Sequence, residues 1–184
     1  MIYSIRKAKY RQEKVFELKT PILFDGAFGT YYEQKTGSGL RPELANLYDR
    51  ETVVQIHREY IDAGSMAIKT NTYGVSSLAG YDEEQRREIL ESGYALACEA
   101  AKDTQAVVFA DMGQIVSDTA EQEYREMADV FLQLGATRFL FETLWDFSPL
   151  TGIVPYIKKK VPESVVIASF AVSQDGYTKT GEYY

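Results

Sequence analysis

Three features of the sequence predict an α/β fold of the (β/α)8 TIM-barrel type, present here as an incomplete barrel of about five parallel strands. First, short apolar runs at residues 22–24, 66–70, 106–110, 139–141 and 165–170 alternate with stretches long enough for right-handed crossover helices. Second, a polar residue closes nearly every run, and in a barrel the strand C-termini build the active face. Third, the chain echoes itself: 64–72 and 135–143 each contain a helix-stopping glycine, a short link, a strand and a polar pair. In that echo Asn71 aligns with Glu142 and Thr72 with Thr143. A doubly wound open sheet is the alternative, but the Gly-rich phosphate turn that would favour it is missing. Eight β/α units take about 250 residues, more than the 184 here. Five strands cannot close a barrel, so either the remainder lies outside this chain or another chain covers the gap.

Residues 1–184 read as a single domain, the N-terminal portion of such a barrel, whose first 20 residues are an N-terminal arm, either a polar helix or an extended segment. Pro21 suits a strand's first position, and Ile22, Leu23 and Phe24 favour the pleated backbone. Asp25 stops that strand, and Gly26 and Gly29 let the chain turn sharply. Residues 31–50, with Gly37, Gly39 and Pro42, read as a long loop. Asp49 is placed to cap a helix over 52–63, with Val53, Ile56, His57, Tyr60 and Ile61 on one stripe and Gly64 at its end. A loop at 71–80 leads to an acidic helix start at Asp82, Glu83 and Glu84, matched to the helix dipole. That helix runs to about residue 102. The next helix covers 120–134, and a last one, at 148–160, is expected to be interrupted at Pro155.

The chain carries 45% hydrophobic and 26% charged residues, ordinary for a soluble globular domain. A net charge of −7 argues against nucleic acid or an anionic membrane as partner. Nothing approaches the roughly 18 apolar residues that span a bilayer, and no apolar run follows Arg6, Lys7 and Lys9 as a secretory signal requires. One cysteine, Cys98, permits no internal disulfide and fits the cytoplasm.

Collected on the strand-end face are Asp25, Asn71, Thr72, Asp111, Glu142 and Thr143. Several acids and few bases suit a ligand with a positive amine, and Gly26 and Ala27 offer N–H groups to its carboxylate. Each has a structural alternative: Asp25 capping its own loop, Glu142 pairing with Arg138 or a helix N-terminus. Glu142 follows the apolar Phe139, Leu140 and Phe141, so it should be partly desolvated and need a charged partner. His57 reads as a satisfied packing histidine and Cys98 as a buried thiol, not metal ligands. Of fourteen tyrosines, Tyr73, Tyr177, Tyr183 and Tyr184 are placed either to line a pocket or to lie on an exposed edge.

The motifs Asp25-Gly26-Ala27-Phe28-Gly29-Thr30, Ala45-Asn46-Leu47, Ile56-His57-Arg58-Glu59-Tyr60, Lys69-Thr70-Asn71-Thr72-Tyr73-Gly74 and Phe141-Glu142-Thr143-Leu144-Trp145-Asp146, with Ser169-Phe170, Asp175-Gly176 and Thr180-Gly181, resemble the homocysteine S-methyltransferase family in order and spacing. These are zinc-dependent barrels that include the homocysteine-binding part of methionine synthase. Ala27 departs from the second glycine usual in that turn. The resemblance implies methyl transfer from a donor to the thiol of L-homocysteine, forming methionine, with zinc holding the thiolate. It implies that Glu142 and the Asp25–Ala27 turn hold the ligand's amino-acid end. The family's three zinc cysteines belong to later strands with no counterpart in these residues. The chain is therefore expected to lack catalytic and metal ligands of its own, and to self-associate or take a complementing C-terminal segment. The competing reading is a non-catalytic (β/α) module for amino-acid binding or assembly.

Overall fold

The computed structural model describes residues 21–181 and Tyr183. The expected arm at 1–20 and Tyr184 lie outside the described residues. Four parallel strands, β1 (Ala67–Lys69), β2 (Val107–Gly113), β3 (Arg138–Leu144) and β4 (Val165–Phe170), stand in the order β1-β2-β3-β4. Ala67 pairs with Val107, Ala110 with Phe139, and Arg138 with Val165. Sequential order with parallel neighbours is the barrel-type winding, in which each crossover helix covers the same side of the sheet.

The expected first strand is reduced to one parallel bridge, Phe24 to Ala67. Leu23 O accepts from Met66 and Ala67, and Asp25 N donates to Ala67 O at 3.0 Å. Pro21 has no N–H to extend the ladder, and the chain turns away at Gly26, so pairing stops after one residue. The described sheet thus has four strands and a bridge where five strands were expected.

The 31–50 loop is also corrected: it holds most of α1 (Phe28–Thr36), a 3-10 turn (Pro42–Leu44) and α2 (Ala45–Tyr48). Only Tyr32 of α1 is buried, so the helix leaves no apolar period to read. Helix α3 (Arg50–Asp62) starts at Asp49 as expected, but Asp49 does not cap it. Its carboxylate accepts instead from the Tyr32 hydroxyl at 3.0 Å, tying α1 to α3. Helix α4 (Glu83–Ala101) opens with a reciprocal capping box: Gln85 N donates to Asp82 Oδ1 at 2.9 Å, and Asp82 N to Gln85 Oε1 at 3.0 Å. Helices α5 (Ala120–Gln133) and α6 (Leu150–Lys160) complete the layer. Helix α6 runs unbroken through Pro155, whose exposed ring faces outward.

Strand alternation divides the core. On the helical side, Ala110, Met112, Phe139 and Phe141 pack with α4, α5 and α6, while Ile68 packs with α3 and α4. On the opposite face Ala67, Phe109 and Leu140 form a smaller apolar floor, edged by Ile22, Phe24, Val165 and Ile167. Two residues further along each strand, that inner face presents Lys69, Asp111 and Glu142. The apolar floor and the polar layer above it position the site.

Candidate functional site

Asp25, Lys69, Asp111 and Glu142 meet on the inner face at the strand C-terminal ends. Lys69 spans the width of β2: its Nζ lies 2.7 Å from Glu142 Oε1 and 3.9 Å from Asp25 Oδ1. The Lys69 amide donates to Asp25 Oδ2 at 3.1 Å. Asp25 is 7% exposed, and burial raises its pKa to about 6, against the opposing pull of the Lys69 amide and ammonium. Asp111 is 2% exposed; burial and then the Glu142 charge push it well above the usual carboxylate range. Burial alone would lower Lys69, but Glu142, Asp25 and Asp111 outweigh it and hold the ammonium above its ordinary value.

The Asp25 turn is shaped by Tyr60. A Cβ on Gly26 would sit 3.0 Å from the Tyr60 hydroxyl, which donates to Ala27 O at 3.3 Å. Ala27 itself has φ −75°, so its departure from glycine carries no strain. It is the N-cap of α1 without a side-chain cap, leaving first-turn N–H groups free beside Asp25. A shallow cavity of about 350 Å³ lined by Ala27, Thr30, Tyr31, Gln34 and Tyr60 opens there.

Asn71 and Thr72 lie nearby but use their side chains inside the protein. Asn71 Nδ2 donates to Pro42 O at 2.5 Å and to Asn46 Oδ1 at 3.0 Å. Thr72 Oγ1 donates to Asp111 O at 2.7 Å, while Asp111 N donates to Thr70 Oγ1 at 2.9 Å. The two threonines therefore clamp the backbone of Asp111 from both sides. Thr143 sits in a bulge of β3, at φ +57°, with its amide donating to Ser169 Oγ at 2.9 Å. Tyr73 covers the site's rim, its backbone O accepting from Gly113 N at 3.1 Å. A Cβ on Gly113 would approach that oxygen to 2.6 Å. Tyr177 and Tyr183 pair with each other, ring centroids 5.2 Å apart.

Sequence reasoning missed Lys69. The internal echo aligned Asn71 with Glu142, yet β1 ends at Lys69 and β3 continues to Leu144. The inner-face partner of Glu142 is therefore Lys69, two residues earlier. Counting alternate positions from the apolar floor, Ala67 to Lys69, Phe109 to Asp111 and Leu140 to Glu142, would have found it. Two further expectations need correction. His57 is fully buried against Phe28, ring centroids 5.0 Å apart, but neither ring nitrogen has a hydrogen-bond partner. Burial lowers its pKa to about 4. Cys98 is exposed on α4, because its position faces away from the α3 contact made by Leu96 and Ala97.

The homocysteine S-methyltransferase family profile matches residues 22–183. The methionine synthase of Mycobacterium tuberculosis is 30% identical over 129 residues, 61% of this chain and 11% of that protein. The chain thus spans about a tenth of the length of that relative. Two crystal structures of the homocysteine methyltransferase MmuM from Escherichia coli share the fold. The apo form has a TM-score of 0.68 at 21% identity, covering 90% of this chain and 65% of MmuM. The metallated form has a TM-score of 0.73 at 22% identity, covering 90% and 68%. Among the described residues no helix is long and apolar enough to cross a membrane. With the family profile spanning nearly all of its length, the chain belongs to the homocysteine S-methyltransferase family.

Proposed function

We propose that this chain binds the amino-acid end of L-homocysteine at the inner-face acids and serves an S-methyltransferase that passes a methyl group from a donor to the ligand's thiol, forming methionine. The observation that carries this reading is the convergence of Asp25, Asp111 and Glu142 around Lys69, directly beside the uncapped N-terminus of α1. Buried acids attract an ammonium, and free helix N–H groups with the positive end of the dipole attract a carboxylate. Gly26 and Ala27 lie where the second contact is needed, and Thr143 borders the first. Asn71 and Thr72 then act indirectly: Thr72 fixes Asp111, and Asn71 fixes the loop that follows β1.

The metal we assign to thiol activation is zinc, which holds a thiolate at neutral pH. The described residues do not fit a zinc site: no three His, Cys, Asp or Glu side chains are placed to hold a metal. Cys98 points out from α4 and His57 is sealed beneath α1. The role of this chain is accordingly binding and orientation of the ligand, with the thiol left to groups beyond these residues. Val165, Val166 and Ile167 of β4 are only half-buried, which supports a complementing strand, from a further segment or a second copy, beside them. One exposed, free cysteine fits a reducing compartment, the cytoplasm.

Glu142→Gln tests the reading. The amide is nearly isosteric, so the fold should persist, while affinity for L-homocysteine measured by titration calorimetry should fall by about 2 kcal/mol as an ammonium loses its charged partner. Equal affinities for the two proteins would remove Glu142 from the site.

A further inference from the structure

Three carboxyl groups on the inner face share a single ammonium. Lys69 gives its short contact, 2.7 Å, to Glu142 and a longer one, 3.9 Å, to Asp25. Asp25 is also stabilised by the Lys69 amide. Asp111 receives neither. Its Oδ1 is buried without a hydrogen-bond partner, and the Glu142 charge on the same inner face raises its pKa further. A buried carboxyl with neither a cation nor a donor to itself is less costly as the neutral acid than as the carboxylate. Glu142 is the one paired with Lys69, so the proton belongs on Asp111. The groups that face Asp111 are Lys69 from β1, Glu142 from β3, Asp25 from the turn before α1, and the Tyr73 phenol from the loop after β1. Two acids already share the one cation, and Asp111 is only 2% exposed beside the Phe109 floor, so little stabilises its ionised form. The Thr70 and Thr72 clamp holds its backbone in this position.

We infer that Asp111 is a further ligand-binding residue of this site, kept as a neutral acid until an amine arrives, and that the ligand's ammonium exchanges for the Asp111 proton. This rests on the reading of the site as an amino-acid site and deepens it. The exchange balances: the ammonium enters with its charge, the Asp111 O–H bond breaks, one proton leaves to solvent, and an ammonium–carboxylate pair replaces it. Lys69 keeps its contact with Glu142 Oε1 throughout, which leaves the other Glu142 oxygen to share the ligand's ammonium with Asp111. It is a positioning residue that fixes which acid carries the proton. The consequence is a binding constant that depends on pH: affinity for an amine ligand rises about tenfold per pH unit while Asp111 is still protonated, then levels off. A ligand without an amine shows no such slope.

The test has two arms. Infrared spectroscopy of the ligand-free chain at neutral pH should show the carbonyl band of a protonated carboxylic acid, lost in Asp111→Asn. Absence of that band overturns the inference whether or not any ligand binds. In the second arm, L-homocysteine is titrated calorimetrically in phosphate and in Tris, whose ionisation enthalpies differ. The wild-type chain should release about one proton per ligand, Asp111→Asn none, and the amine-free analogue mercaptobutyrate should release none from the wild type. The wild-type comparison of the two ligands decides the question even if Asp111→Asn fails to fold. Homocysteine binding without proton release overturns the exchange and leaves the amino-acid reading standing. No binding by either ligand overturns the amino-acid reading and the exchange with it, while the infrared band separately reports the state of Asp111.

Discussion

Asp25→Asn should make the protein more stable and its site weaker. Burial raises the Asp25 pKa from 3.8 to about 6, so the folded state holds this proton more tightly than the unfolded chain does. By linkage, stability then falls as pH rises through that interval, and the full cost is present above about pH 6. The difference of roughly two pKa units corresponds to about 3 kcal/mol. Asparagine mimics the neutral acid: its oxygen can still accept from the Lys69 amide, which lies 3.1 Å from Asp25 Oδ2. Urea unfolding of the two proteins from pH 4 to pH 8 is the assay. The variant should match wild type near pH 4 and exceed it by about 3 kcal/mol at pH 7, while L-homocysteine affinity declines, though less than in Glu142→Gln. A variant less stable than wild type at pH 7, or a gain that does not change with pH, would refute the reasoning. Wild type should still lose stability as pH rises here, because Asp111 keeps its proton in the folded chain and ionises in the unfolded one. His57 shifts the other way, from 6.5 to about 4, and loses stability as pH falls across nearly the same interval.

Two further changes separate these contributions. His57→Leu removes a buried ring with two unpartnered nitrogens; it should be at least as stable as wild type at pH 7 and lose the acid-side decline of about 3 kcal/mol between pH 6.5 and 4, leaving homocysteine affinity intact. An unchanged acid profile in urea unfolding would show that another group causes the decline. Thr143→Gly relieves a β-branched residue at φ +57° and should raise stability by about 1 kcal/mol in the same assay. A loss instead would mean that the Thr143 side chain stabilises the β3 bulge by more than the strain costs.

The strands and long helices were legible because their signals are local. Asp82, Glu83 and Glu84 announced the start of α4, and the apolar run of Phe139, Leu140 and Phe141 marked β3. Asp25, Asp111 and Glu142 could be gathered because each ends an apolar run. What stayed hidden depends on contacts distant in sequence. Asp49 has the composition of a cap, but the Tyr32 hydroxyl claims it. Helix α1 buries one residue of nine and so has no stripe. Lys69 reads as an ordinary surface lysine until β2 places it opposite Glu142. Pairing of residues 22–24 failed because Pro21 and Gly26 bracket the run too closely, which composition alone does not weigh.

The Lys69–Glu142 pair joins residues 73 apart in sequence and reaches across an intervening strand. No two-strand fragment contains it: β1 and β3 are held at the right separation only after β2 has entered between them. Such a contact forms late in assembly, when the entropy of closing both crossovers has already been lost. It acts as a latch on a finished sheet, so weakening it should speed unfolding and leave the folding rate nearly untouched. The same lysine that tunes the ligand site thereby governs how long the folded chain lasts.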